Sequence, residues 1–349
     1  MSAQPLPADR KAPPQSTPQE RLLQTALGYM LSQALYVAAK LRVADHLASG
    51  PKTTGELARS TGANEDRLYR VLRALVSAGI FSEVAPRKFA NNDISSPLDT
   101  QKRDAVYDMV VWMADKFHFD AYGEMLYAVK SGNTVCQRVF GGECFEVLER
   151  DHEEGAVFNQ AMTAFSAMMA PAVLEAYDFS GIGTLVDVAG GHGFILTSIL
   201  QKYPGMKGIL FDLEHVVAGA TERIAACGVE NRCERASGDF FKAVPSGDAY
   251  VMKHIIHDWD DEKAITILKN IRTAMGSRKP GKVMLIEAVL SSGSEPHFAK
   301  LLDLEMFMLP GGRERTEAEF ASLFDRSGFR MTRVVPTKSP VCVVEAVAK

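Results

Sequence analysis

The sequence predicts an α/β protein: a doubly wound, largely parallel sheet in the C-terminal half, behind a helical N-terminal domain. Two observations lead there. From Gly181 onward, short apolar runs alternate with helical stretches: TLVDVAG, FILTSILQKYP, KGILFDL, a helix over 215–227, DAYVMKHIIHDW, a helix over 261–275, then GKVMLIEAVL. Strand and helix alternation of this kind builds a parallel sheet. Before Gly181 the apolar residues instead recur at three and four, the helical period. After helices near 298–308 and 317–327, the runs MTRVVPTKS and VCVVEAVA are joined too closely for a helical crossover, so they are expected to pair antiparallel at the sheet edge.

Taken in order, residues 1–19 are dense in proline and polar side chains and read as a disordered tail. Over 21–47, Leu22, Leu23, Ala26, Leu27, Met30, Leu31, Ala34, Leu35, Ala38 and Leu41 form one broad apolar helical stripe that needs cover on more than one side. Thr53 and Glu56 then stand at capping-box spacing, Gly62 ends that helix, and a second helix runs from Asn64 to Ser77 ahead of a hairpin-like stretch. This is a winged-helix pattern, and 20–103 reads as a winged-helix dimerisation domain. Arg67, Arg70 and Arg73 lie at helical spacing, but over 51–99 the basic side chains are cancelled by Glu56, Glu65, Asp66, Glu83, Asp93 and Asp99, so DNA readout is not expected. Residues 104–180 are helical and rich in methionine and aromatics, a linker able to wall an apolar pocket. The sheet domain occupies 181–349.

At 349 residues, 46% apolar and 23% charged, the chain suits two globular domains and excludes a wholly disordered or fibrous one. A net charge of -4 recommends neither nucleic acid nor anionic membrane as partner, leaving small molecules. Five cysteines without a Cys-x-x-Cys argue against a disulfide framework or structural zinc. No apolar run reaches the roughly 18 residues of a membrane helix, so a soluble, cytoplasmic protein is expected.

The chemistry concentrates at the strand ends. Asp187-Val188-Ala189-Gly190-Gly191-His192-Gly193 closes the first strand and opens a helix, a loop whose glycines admit a ligand close to the backbone. It is not the dinucleotide G-x-G-x-x-G, because Leu196 stands three residues after Gly193. Asp212, with Leu213 after it, ends the second strand at the spacing of a ribose-binding carboxylate, and Asp239-Phe240 follow the third. Three acidic strand ends without a phosphate-cradling lysine loop suit a cationic nucleoside. In the fourth strand, alternation puts Lys253, Ile255 and His257 on one face and His254 and Ile256 on the other, with His257 at the carboxyl end. The aspartates of HDWDD read as helix-capping residues rather than metal ligands. Glu287 ends the neighbouring fifth strand, where its carboxylate is expected to orient the His257 ring and fix its tautomer.

The set LVDVAGGHG, FDL, GDFF, KHIIHDWDDEKA, IEAVL and LPGGRERTEAEF, in that order, resembles the S-adenosylmethionine-dependent O-methyltransferases of the caffeic-acid, hydroxyindole and bacterial polyketide type, from about Glu20 to the C-terminus. The resemblance implies a Rossmann-like class I methyltransferase sheet and a homodimer interlocked through the N-terminal helices. It implies S-adenosylmethionine as methyl donor, S-adenosylhomocysteine as product, and a small aromatic hydroxyl-bearing acceptor. By the same resemblance, Asp187, Gly190, Gly191 and Gly193 would hold the donor's methionine moiety, Asp212 its ribose, and Asp239 and Phe240 its adenine, with Leu213, Lys253 and Ser166 also at the donor. His257 would be the general base, flanked by Glu287 and Glu314, without a metal. Phe158, Met162 and Met306 would sandwich the acceptor, with Trp112 a further candidate. Ala189 departs from the glycine usual there and would be strained if held at positive φ. Three other readings are a relative drifted to hydroxylation or decarboxylation, a winged-helix ligand-sensing regulator, and a nicotinamide-dependent oxidoreductase. Retention of His257 with its carboxylates, the flat charge balance and the missing third glycine disfavour them respectively.

Overall fold

The computed structural model describes residues 17–102, 105–276 and 281–349, and the chain divides into two compact units between Asp99 and Thr100. Most of the expected N-terminal tail lies outside the described residues. Its last residues do not: a helix begins at Pro18, where Thr17 and Glu20 form a reciprocal capping box and proline is tolerated in the first turn.

The single helix expected over 21–47 is three helices, Pro18–Ala26, Gly28–Lys40 and Val43–Leu47. The second break falls at Arg42, held left-handed at φ 53°. One residue in that conformation ends a helix but leaves the apolar spacing intact, so the periodicity cannot reveal it. Along the first two helices Leu22 (73% exposed), Leu23, Leu27, Tyr29 and Met30 remain largely uncovered. Strand β1 (Lys52–Thr53), helices Thr54–Thr61 and Glu65–Ser77, then β2 (Ser82–Ala85) and β3 (Lys88–Ala90) follow, with β3 between the other two strands in an antiparallel sheet. The Thr53–Glu56 capping box and the Gly62 stop form as expected.

The second unit opens with five short helices and the 25-residue helix His152–Ala176. By length and composition this helix could cross a membrane, contrary to the expectation that no segment could. Its C-terminal half, however, buries Phe165, Met169, Ala170 and Val173 in one core with Leu185, Leu196 and Val251, as a core helix does.

The sheet comprises β4 (Thr184–Val188), β5 (Lys207–Asp212), β6 (Cys233–Ser237), β7 (Ala249–Lys253) and β8 (Lys282–Glu287). After a two-stranded piece of β9 (Val289–Leu290) and β10 (Arg315–Thr316), β11 (Phe329–Pro336) and β12 (Cys342–Ala348) complete it. The order is β11-β12-β8-β7-β4-β5-β6, and β12 runs opposite to the other six strands. The expected hairpin is therefore present, with its second strand inserted between the first and β8. Both faces are covered: Leu196, Ile199 and Ile224 pack on one, Ile265, Leu268, Phe320 and Phe324 on the other. That double cover explains strands that read as continuous apolar runs. The helix expected over 215–227 is two helices, Glu214–Ala218 and Thr221–Ala226, because the chain turns at Gly219 and Ala220. Strand order reverses between β4 and β7, so their carboxyl ends flank the crevice where such sheets present ligands.

Candidate active site

Three strand ends and the glycine loop meet at this crevice. Ala189 is held at φ 56°, so the strain anticipated for this alanine is present, and its N–H donates to the Phe211 carbonyl at 2.7 Å. Gly191 and Gly193 also have positive φ. A Cβ on Gly190 would lie 2.6 Å from the Asp187 carboxyl carbon, so only glycine fits against that side chain. Asp212 Oδ2 accepts from Gly191 N–H at 2.8 Å and Oδ1 from Leu213 N–H at 2.7 Å, which ties the end of β5 to the loop. Asp187 is buried, its Oδ2 lacks a hydrogen-bond partner, and burial pushes its carboxyl up to about 7. Lys253, at the end of β7, counters that rise, and burial lowers its own ammonium to about 8. Asp239 accepts from Phe241 N–H at 2.8 Å, while the Phe240 ring packs on Phe241 and Trp259. Ser166 Oγ is turned back to the Met162 carbonyl at 2.7 Å, whereas Thr163 on the same helix reaches His192 of the loop at 3.1 Å.

The strand alternation expected for 253–257 stops one residue in. His254 takes φ 53°, and Ile256–Asp258 form a 3₁₀ turn, so His257 stands on a turn rather than on the strand. It is buried, and its Nδ1 lies 2.6 Å from Glu314 Oε1. The expectation that Glu287 fixes the ring is corrected by this contact. Glu287 Oε2 stands 3.7 Å from His257 Nδ1, too far for a hydrogen bond, while Oε1 accepts the N–H groups of Ile255 and Ile256 at 3.2 and 3.0 Å. Glu287 thus holds the turn's backbone and Glu314 holds the ring. Burial raises both carboxyls, Glu314 to about 8, and Asp303 adds to the latter by like charge. Asp258, also raised to about 7 by burial, places Oδ1 3.5 Å from His257 Nε2. Among the aspartates of HDWDD only Asp260 caps the following helix by its side chain, accepting from Lys263 N–H. Sequence reasoning missed His254, whose ring stacks on Phe165 and leans on His257, with centroids 5.1 and 4.7 Å away. His254, His257 and Glu314 bring three ligand-capable atoms within 4.8 Å, the closest two at the separation of a shared proton.

The helical part supplies an apolar cluster. Trp112 is edge-on to Phe158 at 5.3 Å, Met162 packs against the same cluster, and Phe145 reaches Trp259 at 5.5 Å, which links the cluster to the His257 turn. Met306 is buried on helix Phe298–Met308. Beside it lies a polar group that the sequence gave no means of assembling: His118 between Asp115 (3.2 Å) and Glu305 (2.8 Å), with Tyr122 donating to Glu305.

A glycine loop against a buried acid, a carboxylate closing the second strand and this sheet order define a class I methyltransferase. Residues 122–330 match the O-methyltransferase domain and 23–100 the O-methyltransferase dimerisation domain, and the chain belongs to that family. Phenazine O-methyltransferase PhzM of Lysobacter antibioticus is 42% identical over 326 residues, covering 93% of this chain and 95% of that protein. The crystal structure of LaPhzM superposes with a TM-score of 0.91 at 40% identity, over 96% of this chain and all (100%) of that one. Human N-acetylserotonin methyltransferase, solved in complex with its donor, gives 0.88 at 28% identity, over 97% and 99%. The chain is therefore an enzyme, an O-methyltransferase whose methyl donor is S-adenosylmethionine. The residues present fit that donor: the unpartnered Asp187 oxygen and the Asp212 carboxylate offer acceptors to ammonium and hydroxyl donors, beside Gly191, where a Cβ would meet nothing within 4 Å.

Proposed function

We propose that this enzyme methylates an aryl or enolic hydroxyl of a flat, secondary-metabolite-like aromatic, with His257 as general base and without a metal. The observation that carries the reading is the buried His257–Glu314 contact at 2.6 Å. With Nδ1 committed to Glu314, Nε2 is the nitrogen left to take the acceptor's proton. Glu314 steadies the charge that forms on the ring, and Glu287 keeps the turn in place through Ile255 and Ile256.

When bound, the donor supplies a methyl group on a sulfonium. Asp212 and Leu213 are assigned to its ribose, Asp239 and Phe240 to its adenine, and Asp187, Gly190, Gly191 and Gly193 to its methionine end, with Lys253 and Ser166 beside them. Trp112, Phe158, Met162 and Met306 are assigned to the acceptor. Their apolar character excludes water, which favours a step in which opposite charges cancel. Ionising a phenol at pH 7 costs about 4 kcal/mol, an aliphatic alcohol roughly 12, and one neutral imidazole covers only the first. The uncovered Leu22, Leu23, Leu27, Tyr29 and Met30 together with the dimerisation-domain match support a homodimer. A cytoplasmic location is part of the same reading.

The test offers methyl-labelled S-adenosylmethionine and a panel of phenols, catechols, hydroxyindoles, hydroxyquinones and hydroxyphenazines to wild type and His257→Ala, with and without chelator. The variant is expected to lose on the order of 10² to 10⁴ in rate while still binding donor, and the chelator to change nothing. Equal rates in variant and wild type would sink the base assignment.

A further inference from the structure

We propose that Arg315 is a positioning residue: its guanidinium locks the turn that carries His257, and none of its donors is left to recognise a ligand. The inference rests on the reading of His257 as base. Arg315 is fully buried on β10, where an arginine beside an active site would ordinarily be read as an anion binder.

The contacts argue otherwise. Nη1 donates to the carbonyls of Ile256 (2.9 Å) and Arg313 (3.4 Å), Nη2 to the Trp259 carbonyl and Asp261 Oδ1 (both 2.8 Å), and Nε to Asp261 Oδ1 (3.1 Å). A guanidinium has five N–H donors, and these are five contacts. The Ile256 and Trp259 carbonyls bracket His257. A 3₁₀ turn of three residues leaves its carbonyls mostly unpaired, and the internal bonds here are long, Asp258 N–H to Ile255 O at 3.2 Å and Trp259 N–H to Ile256 O at 3.4 Å. Arginine's planar fork supplies what the turn lacks, a geometry that an ammonium cannot copy.

The rest of the same loop tightens the grip. Arg313 N–H donates to the His257 carbonyl at 2.8 Å, and Glu314 takes the imidazole. A Cβ on Gly312 would fall 1.9 Å from that His257 carbonyl oxygen, so the loop lies directly on the turn. Loop 312–315 therefore fixes both the backbone and the ring of one residue, and Arg315 is the part that reaches across the turn.

The test first reads the ring itself, with no acceptor present. In protein carrying ¹⁵N-histidine, the short Nδ1–H···Glu314 bond gives a far-downfield proton signal, assigned by its loss in His257→Asn. Arg315→Met is expected to abolish or broaden this signal and lower the methyl-transfer rate on the order of 10²-fold, with S-adenosylhomocysteine affinity within about threefold of wild type. Arg315→Lys keeps a charge and part of the contacts; it is expected to fold and show an intermediate signal and rate. An unchanged signal in either folded variant overturns the proposal. So does failure of both variants to fold, which makes Arg315 a residue of the fold instead. Because the proton signal is read with no acceptor present, it does not depend on whether His257 takes the acceptor's proton; the rate is a second readout.

Discussion

Exchanging each of the two carboxylates beside His257 for its amide separates their duties. In Glu314→Gln the amide oxygen can still accept from Nδ1 at the 2.6 Å position, so the ring keeps its orientation, but the charge opposite the forming imidazolium is gone. A charge-assisted hydrogen bond is worth about 1.5–3 kcal/mol and a neutral one about 0.5–1.5, so roughly 1–2 kcal/mol of stabilisation disappears from the proton-transfer step. At 1.36 kcal/mol per tenfold, kcat should fall by about 5- to 30-fold with the acceptor KM little changed. In Glu287→Gln the amide oxygen goes on accepting from Ile255 and Ile256, and Oε2, already 3.7 Å from the ring, has no bond to lose. That change should cost less than about threefold. Single-turnover transfer of labelled methyl to a phenol that the wild type accepts measures both. A larger loss in Glu287→Gln than in Glu314→Gln would refute the division of labour.

Three more outcomes follow from particular contacts. Burial holds Glu314 at about 8, and only its ionised form can balance the charge that forms on the ring, so kcat/KM should climb with pH and level off above about 8; a profile that falls over that span contradicts this. Burial works against the charge on His118, but its bonds to Asp115 and Glu305 win and raise it to about 9 from 6.5, so its stabilisation is full below 6.5 and lost as pH rises through 9. The melting-temperature gap between wild type and His118→Gln should therefore narrow from pH 6 to pH 10, and a widening gap would oppose the assignment. Ala189→Gly relieves a left-handed alanine worth about 1–2 kcal/mol and adds about 0.5–1 kcal/mol of unfolded-state entropy, so stability should rise by at most about 1.5 kcal/mol; a loss of about 1 kcal/mol in a denaturant titration would show the alanine to be unstrained.

Local signals carried the architecture. The alternation after Gly181, the capping box at Thr53 and the stop at Gly62 each specify structure within a few residues, and each is found. Features that need one residue in an unusual conformation escaped. Arg42 and His254 are both left-handed and neither is glycine, so a helix appeared unbroken and a strand appeared one turn too long. The partner of His257 was misassigned because β-strand adjacency made Glu287 the near neighbour, whereas the loop at 312–315 reaches the ring from 57 residues away. Trp112 and Phe158 were legible as apolar residues of helices; His118 and Glu305, separated by 187 residues, offered no local pattern.

The helix His152–Ala176 spans both halves of this site. It carries Phe158 and Met162 into the aromatic cluster, touches the glycine loop through Thr163, and roots Phe165, Met169 and Val173 beneath the sheet. At 1.5 Å of rise per residue, Phe158 and Thr163 stand about 7.5 Å apart along a single rigid rod. Such a rod serves as a ruler, and a ruler constrains how descendants of this sequence can diverge. On the proposed assignment of Phe158 and Met162 to the acceptor, side chains on its first turns can be exchanged, altering which flat molecules are accepted, without shifting anything downstream. A single inserted residue would turn every later side chain by about 100° and carry the Thr163 register off the loop. Acceptor range in this lineage is therefore expected to drift by substitution along the rod, while its length is kept.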